Sequence, residues 1–367
     1  MSPKTLHITN WYASDNQPKR AIWIKDQIDL WRSFSDVDIW HVEFVEDKAF
    51  SFELRLEGAS NYFIVKGPIN AWILIELITF FMLVYLFLFK IEIKKYAAIN
   101  FHIAYPLLTY WHFIGWIFKK KIFVSEHWSA YHFHFSTENS LTRIKRIFFN
   151  NFQWIVVSHA LGEDLVSFSG NVNLKYHVVS NVVDIDNLGF DVGLMHYKKR
   201  FLMLSQWKEP KDPFAVLKVF QRLGEGFNLR IGGYGPQLQQ MRAFVKKNNM
   251  SDRVTFLGVL DKSEVKEELN YATAFIHSSK YETFSVVCAE AVVCGCPVIA
   301  SRVGGIPEFI NGNNGILVDN VEEELYQIIT GLDLINWDRQ RISEKAKIVF
   351  NKDLLVRKMI EIFNRAN

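Results

Sequence analysis

Cysteine is scarce in this chain: three residues among 367, at positions 288, 294 and 296, all inside one short apolar stretch. So tight a cluster lays out no disulfide framework, and as a structural zinc site it lacks a fourth ligand and nearby histidines. Cys288, Cys294 and Cys296 are therefore expected as reduced core residues. Excess charge of one sign is missing too. Lys and Arg total 42 against 39 for Asp and Glu, a net +3, too near balance to make nucleic acid the main partner. The opening MSPKTLHITNWYASD passes from a short apolar run to polar residues without the long apolar core of a secretion signal, so the expected compartment is the cytoplasm. Low-complexity tracts and repeats of solenoid period are absent. What is there is 49% hydrophobic and 22% charged, apolar enough to bury a core. At about 100–200 residues per domain the chain is long enough for two domains.

One run departs from this average. Residues 71–89, AWILIELITFFMLVYLFLF, carry a single charge, Glu76, and approach the ~18 apolar residues of a membrane span. A carboxylate near one end, the lysines Lys90, Lys94 and Lys95 only on the far side, and no second span all weigh against crossing. Two readings stand. The run is a helix buried in a domain core, or one half-sunk in a bilayer surface, where those lysines and Lys119, Lys120 and Lys121 meet anionic head groups.

The C-terminal half alternates β-like runs with helical patterns: FLMLS then PFAVLKVFQRL, FNLRIGG then QLQQMRAFVKK, RVTFLG then SEVKEELNYA, TAFIHSS then FSVVCAEAVVCG, PVIAS then GIPEFI, GILV then EEELYQIITGL. This rhythm predicts a parallel sheet with helices on both faces. In the N-terminal half KTLHITN, DIWHVEF, AINFHI, KIFVSEH, WIVVSHA and YHVVSN read as further parallel strands. The stretch 188–200 loses periodicity and gains glycine and charge, as a linker does. It divides the chain into units 1–190 and 198–344, with a last helix at about 345–367 placed to pack back on the first unit. The fold class is α/β, two Rossmann-like doubly wound parallel-sheet domains facing a cleft, with ligands beyond the carboxyl ends of the strands.

The segment from Ser278, SSKYETFSVVCAEAVVCGCPVIASRVGGIPEFI, concentrates the chemistry. A short polar loop leads into a helix expected to begin near Phe284 or Ser285, whose first free N–H groups attract an anion such as phosphate. Glu282 at the helix mouth and Glu290 are eight residues apart, roughly 12 Å of helical rise, a spacing that suits hydroxyls along a polyol. Each glutamate alone also reads as an ordinary helix feature, since a carboxylate favours a helix start.

These residues resemble the signature of family 4 of the retaining glycosyltransferases (glycosyl transferases group 1), which have the two-domain GT-B fold. Glu282, Phe284, Val287, Glu290, Ala291, Gly295, Pro297, Val298, Ile299 and Ala300 stand in step with its S-x-x-E-x-F-G-x-V-x-x-E-A-x-x-x-G-x-P-V-I-A run. Gly304, Gly305, Pro307 and Glu308 match its G-G-x-P-E loop, and GGYGPQL at 232 its G-x-G-P turn. Ser285 replaces the usual glycine, and Ala21 replaces the glycine of the first loop, a small change only at negative φ. The resemblance implies a nucleotide-sugar donor held mostly by the C-terminal domain. Glu290 then bonds the ribose, Glu282 the transferred sugar, and Lys211 the diphosphate. Phe284, Ser285 and Val286 present backbone groups around sugar and phosphate, and Leu260 lines the base. Gln206 stands where arginine is common and Asp212 where glycine is. His127 falls where the family keeps a histidine that positions the reacting sugar from the N-terminal, acceptor-side domain.

The implied activity is metal-independent transfer, with retention, from a nucleotide sugar to a glycan or lipid-linked acceptor. It belongs to cell-surface polysaccharide synthesis, performed by a cytoplasmic enzyme touching the inner face of an anionic membrane. The aromatic run YPLLTYWHFIGWIFKK is read equally as acceptor surface or as core. No cofactor is implied beyond the donor itself. Rival readings are a sugar epimerase or phosphorylase on the same fold, and a non-catalytic subunit that binds nucleotide sugar. Three weaker patterns are set aside: the D-I-D at 184–186 as a metal motif, GGYGP as a dinucleotide fingerprint lacking full spacing, and His127, His132 and His134 with Glu126 as a metal cluster.

Overall fold

The structure is a computed structural model and describes residues 3–11, 21–68, 72–115, 121–133, 141–194, 199–332 and 337–365. Lys119, Lys120 and His134 lie outside the described residues. The chain divides into two compact units, Met1–Val182 with Lys352–Asn367, and Val183–Asn351.

In the first unit an eight-stranded sheet runs in the order β3-β4-β2-β1-β5-β6-β7-β8. The strands are β1 (Lys4–Thr9), β2 (Asp36–Glu46), β3 (Ser51–Glu57), β4 (Ser60–Gly67), β5 (Ala98–His102), β6 (Lys121–Glu126), β7 (Gln153–Val156) and β8 (Tyr176–Val178). The helices are α1 (Ile22–Arg32), α2 (Trp72–Tyr85), α3 (Trp111–Ile114), α4 (Leu141–Arg146) and α5 (His159–Ser169). Central strands such as β5 are buried along their whole length, the pattern of parallel strands covered on both faces. The six strands expected here form. The sequence reading missed β3 and β4, an antiparallel hairpin at the sheet edge. In β3 Phe52, Leu54 and Leu56 alternate with Glu53, Arg55 and Glu57, a half-solvated rhythm unlike the buried strands around it.

The apolar run around residue 80 is a helix with two unlike faces. No helix among the described residues is long and apolar enough to cross a membrane; α2 ends at Tyr85 and continues as a π-helical turn over Leu86–Lys90. Glu76 is fully buried and accepts hydrogen bonds from Tyr105 Oη at 3.0 Å, Tyr110 Oη at 3.3 Å and Arg143 Nε at 3.1 Å. Three donors, one of them cationic, offset the cost of burying that carboxylate. They also place Tyr105 in the core with Leu107, Leu108 and Trp111, so most of the described part of YPLLTYWHFIGWIFKK is core.

In the second unit six parallel strands follow the order β11-β10-β9-β12-β13-β14. They are β9 (Arg200–Gln206), β10 (Asn228–Tyr234), β11 (Val254–Gly258), β12 (Ala274–His277), β13 (Val298–Ser301) and β14 (Gly315–Val318). Between and after them run α6 (Pro213–Arg222), α7 (Leu238–Lys247), α8 (Lys262–Tyr271), α9 (Val286–Val293), α10 (Val321–Gly331) and α11 (Arg339–Val349). GIPEFI, expected as a helix, makes only a 3-10 turn, Ile306–Glu308.

Both expected domain limits move. The stretch read as a linker begins inside the second unit, because its backbone is bonded there. Asn270 donates to Gly189 O at 3.0 Å and accepts from Asp191 N at 2.8 Å, and Asp184 accepts from Lys262 Nζ at 2.5 Å. At the other end α11 stays with the second unit, and only α12 (Lys352–Arg365) returns to the first. Its Leu355, Met359, Ile362 and Phe363 join Ile24, Ile28 and Trp31 in one apolar cluster. The three cysteines are free and buried, and burial pushes the thiols of Cys288 and Cys294 up to about 12 and that of Cys296 to about 11. They are inert core residues.

Candidate functional site

The carboxyl end of the second unit's sheet is stitched together by backbone bonds between segments far apart in sequence. After β9 the chain turns through Lys208–Asp212 and pairs with the loop after β12. Lys211 bridges Ser279, Asp212 N donates to Ser278 O at 2.7 Å, and Lys280 N donates to Pro210 O at 2.9 Å. That seam brings Lys211 onto Glu282, where the ammonium donates to carboxylate Oε1. His277, the last residue of β12, reaches the same oxygen through Nε2 at 2.7 Å. Ser285 Oγ lies 3.4 Å from that nitrogen.

Burial holds the His277 imidazole well below its ordinary pKa, with the Lys211 charge adding to the effect. The ring is therefore neutral and donates its Nε2 proton to the carboxylate. Burial likewise pulls Lys211 down to about 8. The group is thus a nearly dry cation, an anion and a neutral donor at one point, at the mouth of α9. The first amides of that helix have no carbonyl one turn back, so they present partial positive charge to the same space.

Two glycine-dependent contacts shape the surroundings. Gly304, at φ +51, lies so close under the Glu282 carbonyl that a Cβ would stand 1.7 Å from its oxygen, and Gly305 N donates to that oxygen at 3.0 Å. Gly233, at φ +115, would place a Cβ 1.8 Å from Ser205 O. Trp207 closes this second turn by donating Nε1 to Gly232 O at 3.1 Å.

The unit carrying this geometry is matched over residues 184–349 by the family described as glycosyl transferases group 1. The C-terminal unit is a group 1 glycosyltransferase domain. The chain is 28% identical over 215 residues to the N-acetyl-alpha-D-glucosaminyl L-malate synthase of Bacillus anthracis, covering 54% of this chain and 56% of that one. Over 223 residues it is 26% identical to a phosphatidylinositol N-acetylglucosaminyltransferase component from Arabidopsis thaliana, covering 55% and 49%. The matches thus span about half the length of these curated relatives. Among solved structures, Anabaena HepE in complex with UDP superposes with a TM-score of 0.74 at 16% identity, over 99% of this chain and all of that one. The fold is GT-B.

The structure gathers some of the expected site residues of the glycosyltransferase domain and not others. Lys211, Glu282 and Ser285 meet. Glu290 is half-buried on α9, but Glu282 lies in the loop four residues before that helix, so the two carboxylates do not ride one coil and the helical-rise estimate fails. The Phe284 ring is core, 5.2 Å from Phe309 and 6.0 Å from Phe350, leaving only its backbone to a ligand. Val286 opens α9 and is half-buried. Leu260 lies over Gly232, whose added Cβ would sit 3.3 Å from the leucine Cδ1. Gln206 ends β9 and is exposed. Asp212 has a structural use, accepting Ala215 N at 3.3 Å as the cap of α6. His277 was missed by sequence reasoning; its one signal was a titratable residue at the end of a parallel strand.

Both substituted glycine positions carry strain. Ser285 has φ +73 and Ala21 φ +49, so the condition under which alanine would be a small change is not met. Each residue stands at the left-handed start of a helix, α9 and α1 respectively.

In the first unit His127 follows β6 and is buried, with Nε2 3.1 Å from Gln27 Oε1. Burial pushes its pKa down to about 4. Neighbouring Glu126 is occupied by the amides of Ala104, His127 and Trp128 and by Tyr131 Oη, all within 3.0 Å. His132 turns away to Asp164, at 2.9 Å. Asp184 of the D-I-D run pairs with Lys262 and Asn187.

Proposed function

We propose that the protein transfers a sugar, with retention of anomeric configuration, from a nucleoside diphosphate sugar to a glycan or lipid-linked acceptor. The observation that carries this reading is the convergence of Lys211, His277 and Glu282 at the mouth of α9, inside the segment matched by the glycosyltransferase family. The UDP named in the HepE complex supports a nucleotide-linked donor, and the phosphatidylinositol named for the Arabidopsis relative supports a lipid-borne acceptor.

On this reading the diphosphate takes Lys211 and the α9 amides, while Glu282 turns its carboxylate to a sugar hydroxyl with His277 holding it in place. The bond from the anomeric carbon to the diphosphate oxygen breaks, and its electron pair leaves with the phosphate. The acceptor hydroxyl attacks from the same face and passes its proton to the departing phosphate oxygen. Positive charge placed where negative charge grows is the main source of rate. Glu290 holds the ribose, Leu260 and Gln206 border the nucleotide, and His127 positions the acceptor side. No step uses a metal ion. The setting is cell-surface polysaccharide synthesis at the inner face of the membrane.

Release of nucleoside diphosphate from a panel of UDP-, GDP- and ADP-sugars tests the reading. Turnover is expected with at least one donor and is expected to fall about 100-fold or more in Lys211→Ala and Glu282→Ala. Product with inverted configuration would contradict the mechanism. A second reading, a donor-binding protein without activity, draws on Gln206, which leaves the diphosphate one cation short; binding without turnover would select it.

A further inference from the structure

Both polar residues of α2, Glu76 and Thr79, are turned inward beside Met82 and Leu83, while its open side carries only apolar and aromatic residues, Leu77, Phe81 and Tyr85, continued past the helix by Leu88 and Phe89. Phe81, Leu88 and Phe89 are 64%, 66% and 71% exposed. A helix facing water places these classes the other way round, and polar groups turned inward with apolar ones outward is the arrangement of segments that face lipid.

The neighbouring hairpin repeats the pattern. Phe52 and Leu56 on β3 are exposed, and between hairpin and helix runs a groove of about 500 Å³ lined by Phe52, Leu54, Phe63, Ile78, Phe81 and Tyr85, among others. Ring contacts connect the surface: Phe52 to Phe63 at 6.2 Å, Phe63 to Tyr85 at 6.3 Å, and Tyr85 to Phe89 at 5.6 Å. Contiguous exposed apolar patches of this kind are unusual on soluble monomers and mark docking surfaces.

The charge beside the patch identifies what docks. Lys90 lies 6.0 Å from the Tyr85 ring centre, and Lys94 and Lys95 follow, all exposed. Glu92 pairs with Lys95 at 2.5 Å, which leaves the segment positive. An apolar plate bordered by cations complements hydrocarbon beneath anionic head groups. We propose that the β3–β4 hairpin, α2 and Leu86–Lys95 form a docking surface for an anionic lipid bilayer, with the groove receiving one hydrocarbon chain. The inference gives the membrane contact of the proposed function its surface and rests on that reading for its purpose.

Co-flotation with vesicles tests it, using phosphatidylcholine alone and phosphatidylcholine with about one third phosphatidylserine at low salt. The intact chain is expected to float with the anionic vesicles and to remain behind with the neutral ones. Phe81→Glu with Leu88→Glu is expected to lower the bound fraction at least tenfold, and Lys90→Gln with Lys94→Gln and Lys95→Gln to remove its salt dependence. Nucleotide-sugar hydrolysis in vesicle-free buffer, run on the same variants, checks folding and is expected to match the unsubstituted chain. Loss of flotation with hydrolysis intact thus speaks to the surface alone, and absent hydrolysis in every chain speaks against the transferase reading alone. Failure to float with either vesicle, flotation unchanged by the two glutamates, or a dimer in light scattering that Phe81→Glu dissolves would overturn the proposal, the last by assigning the face to a second copy.

Discussion

At Ser285 and Ala21 a side chain occupies a backbone conformation that favours glycine. The left-handed region costs an L-residue about 1–2 kcal/mol, and glycine's greater freedom in the unfolded chain returns about 0.5–1 kcal/mol of that. Ser285→Gly and Ala21→Gly are each expected to raise stability by about 0.5–1 kcal/mol, read as a higher midpoint in urea unfolding; lower midpoints would contradict the strain assigned to these sites. The sequence pattern marked both positions because each interrupts a glycine-bearing motif, but φ itself is not written in the residue type. Glu282 and Lys211 were legible for a similar reason, each lying in a local motif. The pairing of His277 with Glu282 was not, since it depends on how the end of β12 faces the following loop.

Among the elements, the loops at the second unit's sheet edge are held by close backbone approach, and glycine substitutions there measure that directly. Gly233→Ala and Gly304→Ala put a methyl group within 2 Å of a carbonyl oxygen, so each is expected to cost about 2–4 kcal/mol. Gly304→Ala should also weaken donor binding by displacing Glu282. Gly312, whose Cβ would meet nothing within 4 Å, serves as control, and an equal loss in Gly312→Ala would contradict the account. At this scale the parallel strands were readable from continuous apolar runs. The β3–β4 hairpin was not, because β3 alternates apolar with charged residues instead of forming the continuous apolar run by which the buried strands were recognised. The linker was misplaced because glycine and charge suggest looseness, whereas Asn270 anchors the start of that stretch at Gly189 and Asp191, about 80 residues away in sequence.

For the molecule as a whole, buried neutral histidines set an acid limit. Burial lowers His7 to about 3 and His127 to about 4, from an ordinary 6.5. Between those values and 6.5 the unfolded chain binds protons that the folded chain refuses, so stability falls as pH drops through that window. Each histidine accounts for about 2 kcal/mol between pH 8 and pH 5. Glu126, raised by burial, acts in the opposite sense, so the readout is a difference in slope. His7→Gln should flatten the fall in urea-unfolding stability from pH 7 to 5, and an unchanged slope would contradict it. Lys211, held at about 8, should give donor binding an alkaline limb near that pH, which Lys211→Arg moves upward. The central claim is that Lys211 and Glu282 grip an activated sugar by its diphosphate and a hydroxyl. Calorimetric titration of the UDP-, GDP- and ADP-sugar panel into the unsubstituted chain and into Lys211→Ala tests it most directly. The account predicts saturable binding of at least one donor, weakened tenfold or more by Lys211→Ala; no binding by any donor, or equal affinity in both proteins, would contradict it.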